Sequence, residues 1–164
     1  MYDSHCHINT DNAYFCSHEI SIDRRFPDLE TQTSLALKEL TEAKISGTNS
    51  TLHCVQATQL MMNVLKTVKP LHKTVLWHSF NGSPETAKEL YRLGVIVSIS
   101  PKCTKDIRAI FEANPLFTLE TDYTGSDVRE HKKILENHYK KVRDILEIPA
   151  DELERRCIEN AFTS

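Results

Sequence analysis

A chain of 164 residues with 40% hydrophobic and 26% charged residues has the size and make-up of one globular domain, able to remove roughly 70% of its unfolded surface from water. Its formal charge of −3 supplies no general attraction to nucleic acid, so any phosphate contact must come from a local patch or a bound cation. No apolar run approaches the roughly 18 residues of a membrane helix, the first residues lack the basic and apolar regions of a signal peptide, and the expected location is the cytoplasm.

Two β-like runs, 2–8 and 14–22, precede a helix over 29–45 that Gly47 ends. From residue 50 the chain alternates short β-rich runs with amphipathic helical ones, the pattern of parallel strands joined by helical crossovers. The strands fall at 50–55, 74–80, 95–100 and 116–121. Between them Leu60, Met61, Val64, Leu65 and Val68 recur at helical spacing, and Ser83-Pro84-Glu85 offers a cap, a first-turn proline and an acid for a helix closed by Gly94. Thr104 can cap a third such helix, and two more, 127–147 and 151–162, complete the chain. These elements form a single domain, 1–164, with six candidate strands. A regular βα barrel has eight strands and about 250 residues, so the sheet is either open or a reduced barrel.

Asp3-Ser4-His5-Cys6-His7 places an acid and two imidazoles at alternate positions. On a strand, Asp3, His5 and His7 share one face, and two imidazoles side by side are half of a metal site. An isolated pair is more often surface decoration, so partners are needed. His53, His78 and Asp122 each stand at the downstream end of a later strand run, where active sites of parallel βα folds gather. Imidazoles with carboxylates suit zinc, manganese or iron better than magnesium or calcium. One or two such ions can activate water without a serine or cysteine nucleophile. Cys54 adjoins His53 but points to the opposite face of a regular strand. The five cysteines, odd in number and without a CxxC pair, argue against a disulfide framework and a cysteine zinc finger.

In order, these motifs resemble those of the TatD-type metal-dependent hydrolases, TIM-barrel enzymes several of which are deoxyribonucleases. Asp3 to His7 is similar to the family's DxHxH. His18 to Asp23 is similar to its GEIGLD strand, with His18 and Ser21 in place of the glycines. Leu52-His53-Cys54, His78 to Ser83, Leu119 to Asp122 and Asn160-Ala161-Phe162 are similar to its later motifs. The resemblance implies an α/β fold, a TIM-barrel-like architecture reduced to about six of eight βα units. It makes His5 and His7 ligands of one divalent metal, Glu19 a carboxylate bridging two, His53 and His78 ligands of the second, and Asp122 a ligand that also helps activate water. The ions would be zinc, manganese, iron or magnesium, and Asp3 an orienting group behind the histidines.

The sequence departs from the family in three ways. Only Ile8 to Ser17 separate the first two motifs, where the family has two further strands. A link this short leaves the run carrying Glu19 either antiparallel or reached by an extended segment, and leaves edges that a homodimer could cover. Val55 stands where many relatives have arginine, removing a phosphate contact. The chain also ends just after Asn-Ala-Phe. The implied function is hydrolysis of ester bonds, foremost DNA phosphodiesters. The alternatives are a small-molecule ester or amide hydrolase and a metal- or partner-binding remnant without turnover. The basic runs at 139–141 and 155–156 read as solvated mixed-charge helix faces. His18, His72, His131 and His138 lack ligand spacing to the cluster.

Overall fold

The computed structural model describes residues 1–8, 19–71 and 74–162, so the expectations over 14–18 and at Cys16, His18 and His72 lie outside the described residues. Strands and helices alternate as β1 (Glu19–Asp23), α1 (Leu29–Ser46), β2 (Ser50–Val55), α2 (Thr58–Val68), β3 (Val75–Trp77), α3 (Pro84–Arg92), β4 (Val95–Ile99), α4 (Ile107–Ala113) and β5 (Phe117–Leu119). Two helices, α5 (Val128–Leu146) and α6 (Ala150–Phe162), follow. The sheet runs β1-β2-β3-β4-β5 with every neighbouring pair parallel, a continuous arc of a reduced TIM-barrel-like wall. β1 pairs in parallel with β2, from Glu19 opposite Thr51 to Asp23 opposite Val55, which excludes the antiparallel arrangement of the Glu19 run.

Side-chain alternation divides the sheet into two unlike faces. Ile20, Ile22, Leu52, Val75, Trp77, Val95, Val97, Ile99, Phe117 and Leu119 belong to the main core with the helices. At roughly 25 cal/mol for each Å² of apolar surface buried, this face supplies most of the force holding helices to sheet. The opposite face carries Glu19, Ser21, Asp23, Thr51, His53, Ser98 and Thr118, with a smaller apolar cluster of Tyr2, Leu76, Ile96 and Ala161. A parallel strand buried on both sides is usually apolar throughout. Here the inner face is polar toward the carboxyl ends of the strands, where a site must be built.

The run at 2–8 is not a sixth regular strand. Only Asp3 forms a ladder bridge, and the segment lies against β5 and the loop after it through Ser4 N–H to Leu119 O (3.0 Å), Asp122 N–H to His5 O (3.1 Å) and His7 N–H to Tyr123 O (2.9 Å). The Asp3 carboxylate replaces ladder bonds by accepting the backbone N–H groups of Thr121 (3.0 Å) and His5 (3.2 Å). Helix α4 is capped by Asp106, whose side chain accepts from Ala109 N–H, while Thr104 bonds to Asn81. Asp is a good cap because its oxygen satisfies a first-turn N–H that has no helical partner. No helix among the described residues is long and apolar enough to cross a membrane.

Candidate metal centre

All six residues expected as ligands converge at the carboxyl ends of the strands. Glu19 is their hub: its Oε1 lies 2.8 Å from His5 Nε2, 3.9 Å from His78 Nε2 and 4.0 Å from His7 Nε2, and its Oε2 lies 3.7 Å from His53 Nδ1. His53 Nδ1 and His78 Nε2 are 2.8 Å apart, and His7 Nε2 is 3.5 Å from Asp122 Oδ1. His5 and His78 are buried, Glu19, His53 and Asp122 are partly open, and His7 lies at the mouth. Burial grades outward from His5 to His7, so one wall is shielded from water while the other faces solvent.

The hydrogen bond from His5, together with the imidazoles of His78 and His53 around it, outweighs burial and holds the Glu19 carboxyl down to about 2. Glu19 is therefore an ionised oxygen donor throughout the neutral range. Burial pushes the Cys54 thiol up to about 11, which keeps it protonated and unreactive, in keeping with its place on the helix-facing side of β2.

Behind the candidate ligands stands a tier of acids. Asp23 Oδ2 is 3.5 Å from His53 Nε2, and the Arg25 guanidinium beside it holds its carboxyl at about 2. Glu120, fully buried, accepts from Ser79 N–H (2.7 Å) and approaches His78 Nδ1 (3.4 Å). Each carboxylate engages one ring nitrogen, so the other nitrogen turns toward Glu19. This is how outer carboxylates fix the tautomer of a ligating histidine. Asp3 faces away from the cluster: its Oδ2 accepts from Thr121 Oγ1 and from His131 Nε2 of α5, both at 2.7 Å. Lys102 Nζ sits 3.0 Å from Asp122 Oδ2. Asp23 and Glu120 were legible from parity, since Asp23 shares a strand face with Glu19 and Glu120 lies two positions after Thr118. Nothing in spacing marks His131, whose contact spans 128 positions of sequence.

Ser79 (φ 48°) and Asp122 (φ 51°) both adopt the left-handed region, at a cost of about 1–2 kcal/mol each for residues with a Cβ. They follow the strands that deliver His78 and the Thr121 loop, and each is held by a backbone bond, Ser79 N–H to Glu120 and Asp122 N–H to His5 O. Such strain persists where surrounding bonds impose it, commonly at functional sites.

The donor set fits a divalent ion. Three groups of ligand atoms lie within 4.8 Å of one another: His5, Glu19 and His78; His5, His7 and Asp122; and Asp3, Cys6 and His131. The first two share His5 and combine imidazole nitrogen with carboxylate oxygen, the mixture that suits zinc, manganese or iron. The third does not fit, because both Asp3 oxygens already accept two hydrogen bonds.

No curated protein matches this sequence. Among solved structures, the crystal structure of YjjV, a TatD homologue from Escherichia coli K12, superposes with a TM-score of 0.73 and 23% identity over 93% of this chain. The chain spans 64% of the length of that structure's chain. A sequence model described as TatD related DNase matches residues 19–164, from the hub carboxylate to the last residue. The chain therefore belongs to the TatD related DNase family.

Proposed function

We propose that the protein is a divalent-metal-dependent hydrolase that cleaves phosphodiester bonds of DNA. The observation that carries the reading is the convergence of the imidazole nitrogens of His5, His7, His53 and His78 within 4.0 Å of one ionised carboxylate, Glu19. Histidines gathered so closely around one carboxylate have lone pairs that call for a shared cation. His5, His7 and Asp122 would hold one ion, His53 and His78 a second, and Glu19 would bridge them. When bound, such ions supply Lewis acidity and lower the pKa of nearby water to neutrality.

The remaining work falls to the chain's own groups. Asp122, partly exposed and beside His7, accepts the proton of the attacking water at Oδ1, while its Oδ2 is held by Lys102. Asp23 and Glu120 keep the imidazoles of His53 and His78 turned inward. Lys102, largely exposed at the mouth, offers a cation to an anionic substrate.

Metal analysis of purified protein tests the centre: up to two equivalents are expected, falling to one or none in Glu19→Ala. Release of acid-soluble nucleotides from DNA, dependent on added divalent ion and abolished by chelator, tests the reaction. No release with any divalent ion rejects the nuclease reading. Val55 and the charge of −3 favour a second substrate class, small esters or amides, which aryl-ester turnover by the metal-loaded protein would reveal.

A further inference from the structure

The turn after β1 is built with unusual firmness for a segment that leaves a large aromatic in water. Phe26 is 63% exposed, and Arg24 and Arg25 beside it are exposed as well. The backbone beneath them is pinned at each step. Phe26 N–H donates to Asp23 O (3.1 Å), Arg25 N–H to Asp23 Oδ1 (2.9 Å) and Arg24 N–H to Val55 O (3.0 Å). From α1, Gln32 accepts Asp23 N–H (2.7 Å) and donates to Pro27 O (2.9 Å) and Phe26 O (3.3 Å). Asp28 then caps α1 through Thr31. A floppy loop could fold Phe26 against the body of the protein. This one presents it.

The turn also adjoins the candidate centre. Its first residue, Asp23, is 3.5 Å from His53, and Arg24 Nε reaches across to Gln56 O (2.8 Å) at the end of β2. That is beside Val55, which is paired with Asp23 in the sheet. Arg25 is committed to Asp23, but among the described residues the Arg24 side chain bonds only through Nε, so its two terminal nitrogens can take an anion. A guanidinium next to an exposed aromatic ring is the pairing that grips unpaired nucleotides: every base has a face to stack, and each linkage has a phosphate.

We infer that Arg24 and Phe26 form a docking platform for a single-stranded polynucleotide, Phe26 stacking on an unpaired base and Arg24 holding a phosphate beside the candidate metal centre. This rests on the proposed function for the nature of the substrate, but not for the chemistry of cleavage. It places a cation from β1 next to the β2 position that Val55 leaves apolar.

The test measures binding apart from hydrolysis, by fluorescence anisotropy of a labelled oligodeoxynucleotide with chelator-treated protein. Phe26→Ala is expected to weaken binding about tenfold, the size of one base stack, with Phe26→Trp restoring it. Arg24→Ala is expected to weaken it severalfold and to lower the slope of log affinity against log salt by about 0.7. Ile45→Ala, another exposed apolar residue, at the far end of α1, leaves binding unchanged. The same strand as RNA distinguishes the two sources of unpaired bases, and tighter binding of either than of duplex supports the platform. Equal binding of duplex, wild-type affinity in Phe26→Ala, or a dimer in sedimentation that Phe26→Ala abolishes each overturns it. Binding without any cleavage would refute the nuclease reading and leave this one standing. Cleavage with kcat/KM unchanged in Phe26→Ala and Arg24→Ala would do the reverse.

Discussion

Replacing Asp3 by alanine removes an acceptor on which four donors converge: the backbone N–H groups of His5 and Thr121 on Oδ1, the Thr121 hydroxyl and His131 Nε2 on Oδ2. Asp3 is fully buried and His131 is 3% exposed, so water cannot readily stand in for the lost oxygens. A buried donor left unsatisfied costs about 1–3 kcal/mol, so four place the loss at no less than about 4 kcal/mol. That is a large part of the roughly 5–15 kcal/mol by which a domain is stable. Asp3→Asn keeps one acceptor oxygen for the two backbone groups and puts an amide toward Thr121 and His131, both of which can reorient. Its expected cost is about 1–3 kcal/mol. Urea unfolding followed by circular dichroism measures both, and calorimetric titration with zinc measures the affinity lost when the segment carrying His5 and His7 is loosened. Should Asp3→Ala unfold within about 1 kcal/mol of wild type, the carboxylate is not what fastens the N-terminal segment, and the reasoning from its four bonds is wrong.

Because the Glu19 carboxyl is lowered from 4.5 to about 2, its ionised form stabilises the fold fully above pH 4.5, and that contribution is lost as pH falls toward 2. Urea midpoints of wild type should therefore fall more steeply over this window than those of Glu19→Gln, and parallel curves would count against the hub role. Glu120→Gln retains an oxygen for Ser79 N–H but loses the charged partner of His78, so metal affinity measured by competition with a chromogenic chelator should drop about tenfold or more with little loss of stability. Cys54, pushed up to about 11, should react with a thiol reagent at pH 8 far more slowly than free cysteine, and Cys54→Ser should retain full hydrolytic activity. Rapid labelling, or a dead serine variant, would return the thiol to the list of nucleophiles.

Most of the fold was readable because the information is local. Period-2 apolar runs alternating with period-3.6 runs specify parallel βα units, and helix starts such as Ser83-Pro84 depend on neighbours three or four positions away. Among the described residues, the five strands of the sheet and the six helices lie on the runs that patterning marked out, with β1, α1 and α6 each extending one residue past them. The misplaced elements are those whose bonds are distant. The 2–8 run has strand-like alternation, yet what it pairs with is the far end of β5, and side-chain bonds from Asp3 stand in for a ladder. Thr104 lost the α4 cap to Asp106 because Asn81, on another loop, engages its hydroxyl and backbone.

The sequence by itself determined the residue types of the site and the strand ends that deliver them, since alternation along a strand and the βα order are properties of short stretches. Only the tertiary structure decided that Glu19 stands among His5, His53 and His78, because that depends on β1 lying parallel to β2 across a link whose course no local pattern dictates. Parity puts Asp23 and Glu120 on the inner face, but their partners His53 and His78, and the bond from His131 to Asp3, were set by the tertiary structure as well. Each acts through a partner brought close by the closing arc of the sheet or by α5 packing over it, and a distance of 3 Å in space between residues a hundred positions apart is set by the packing of the whole chain.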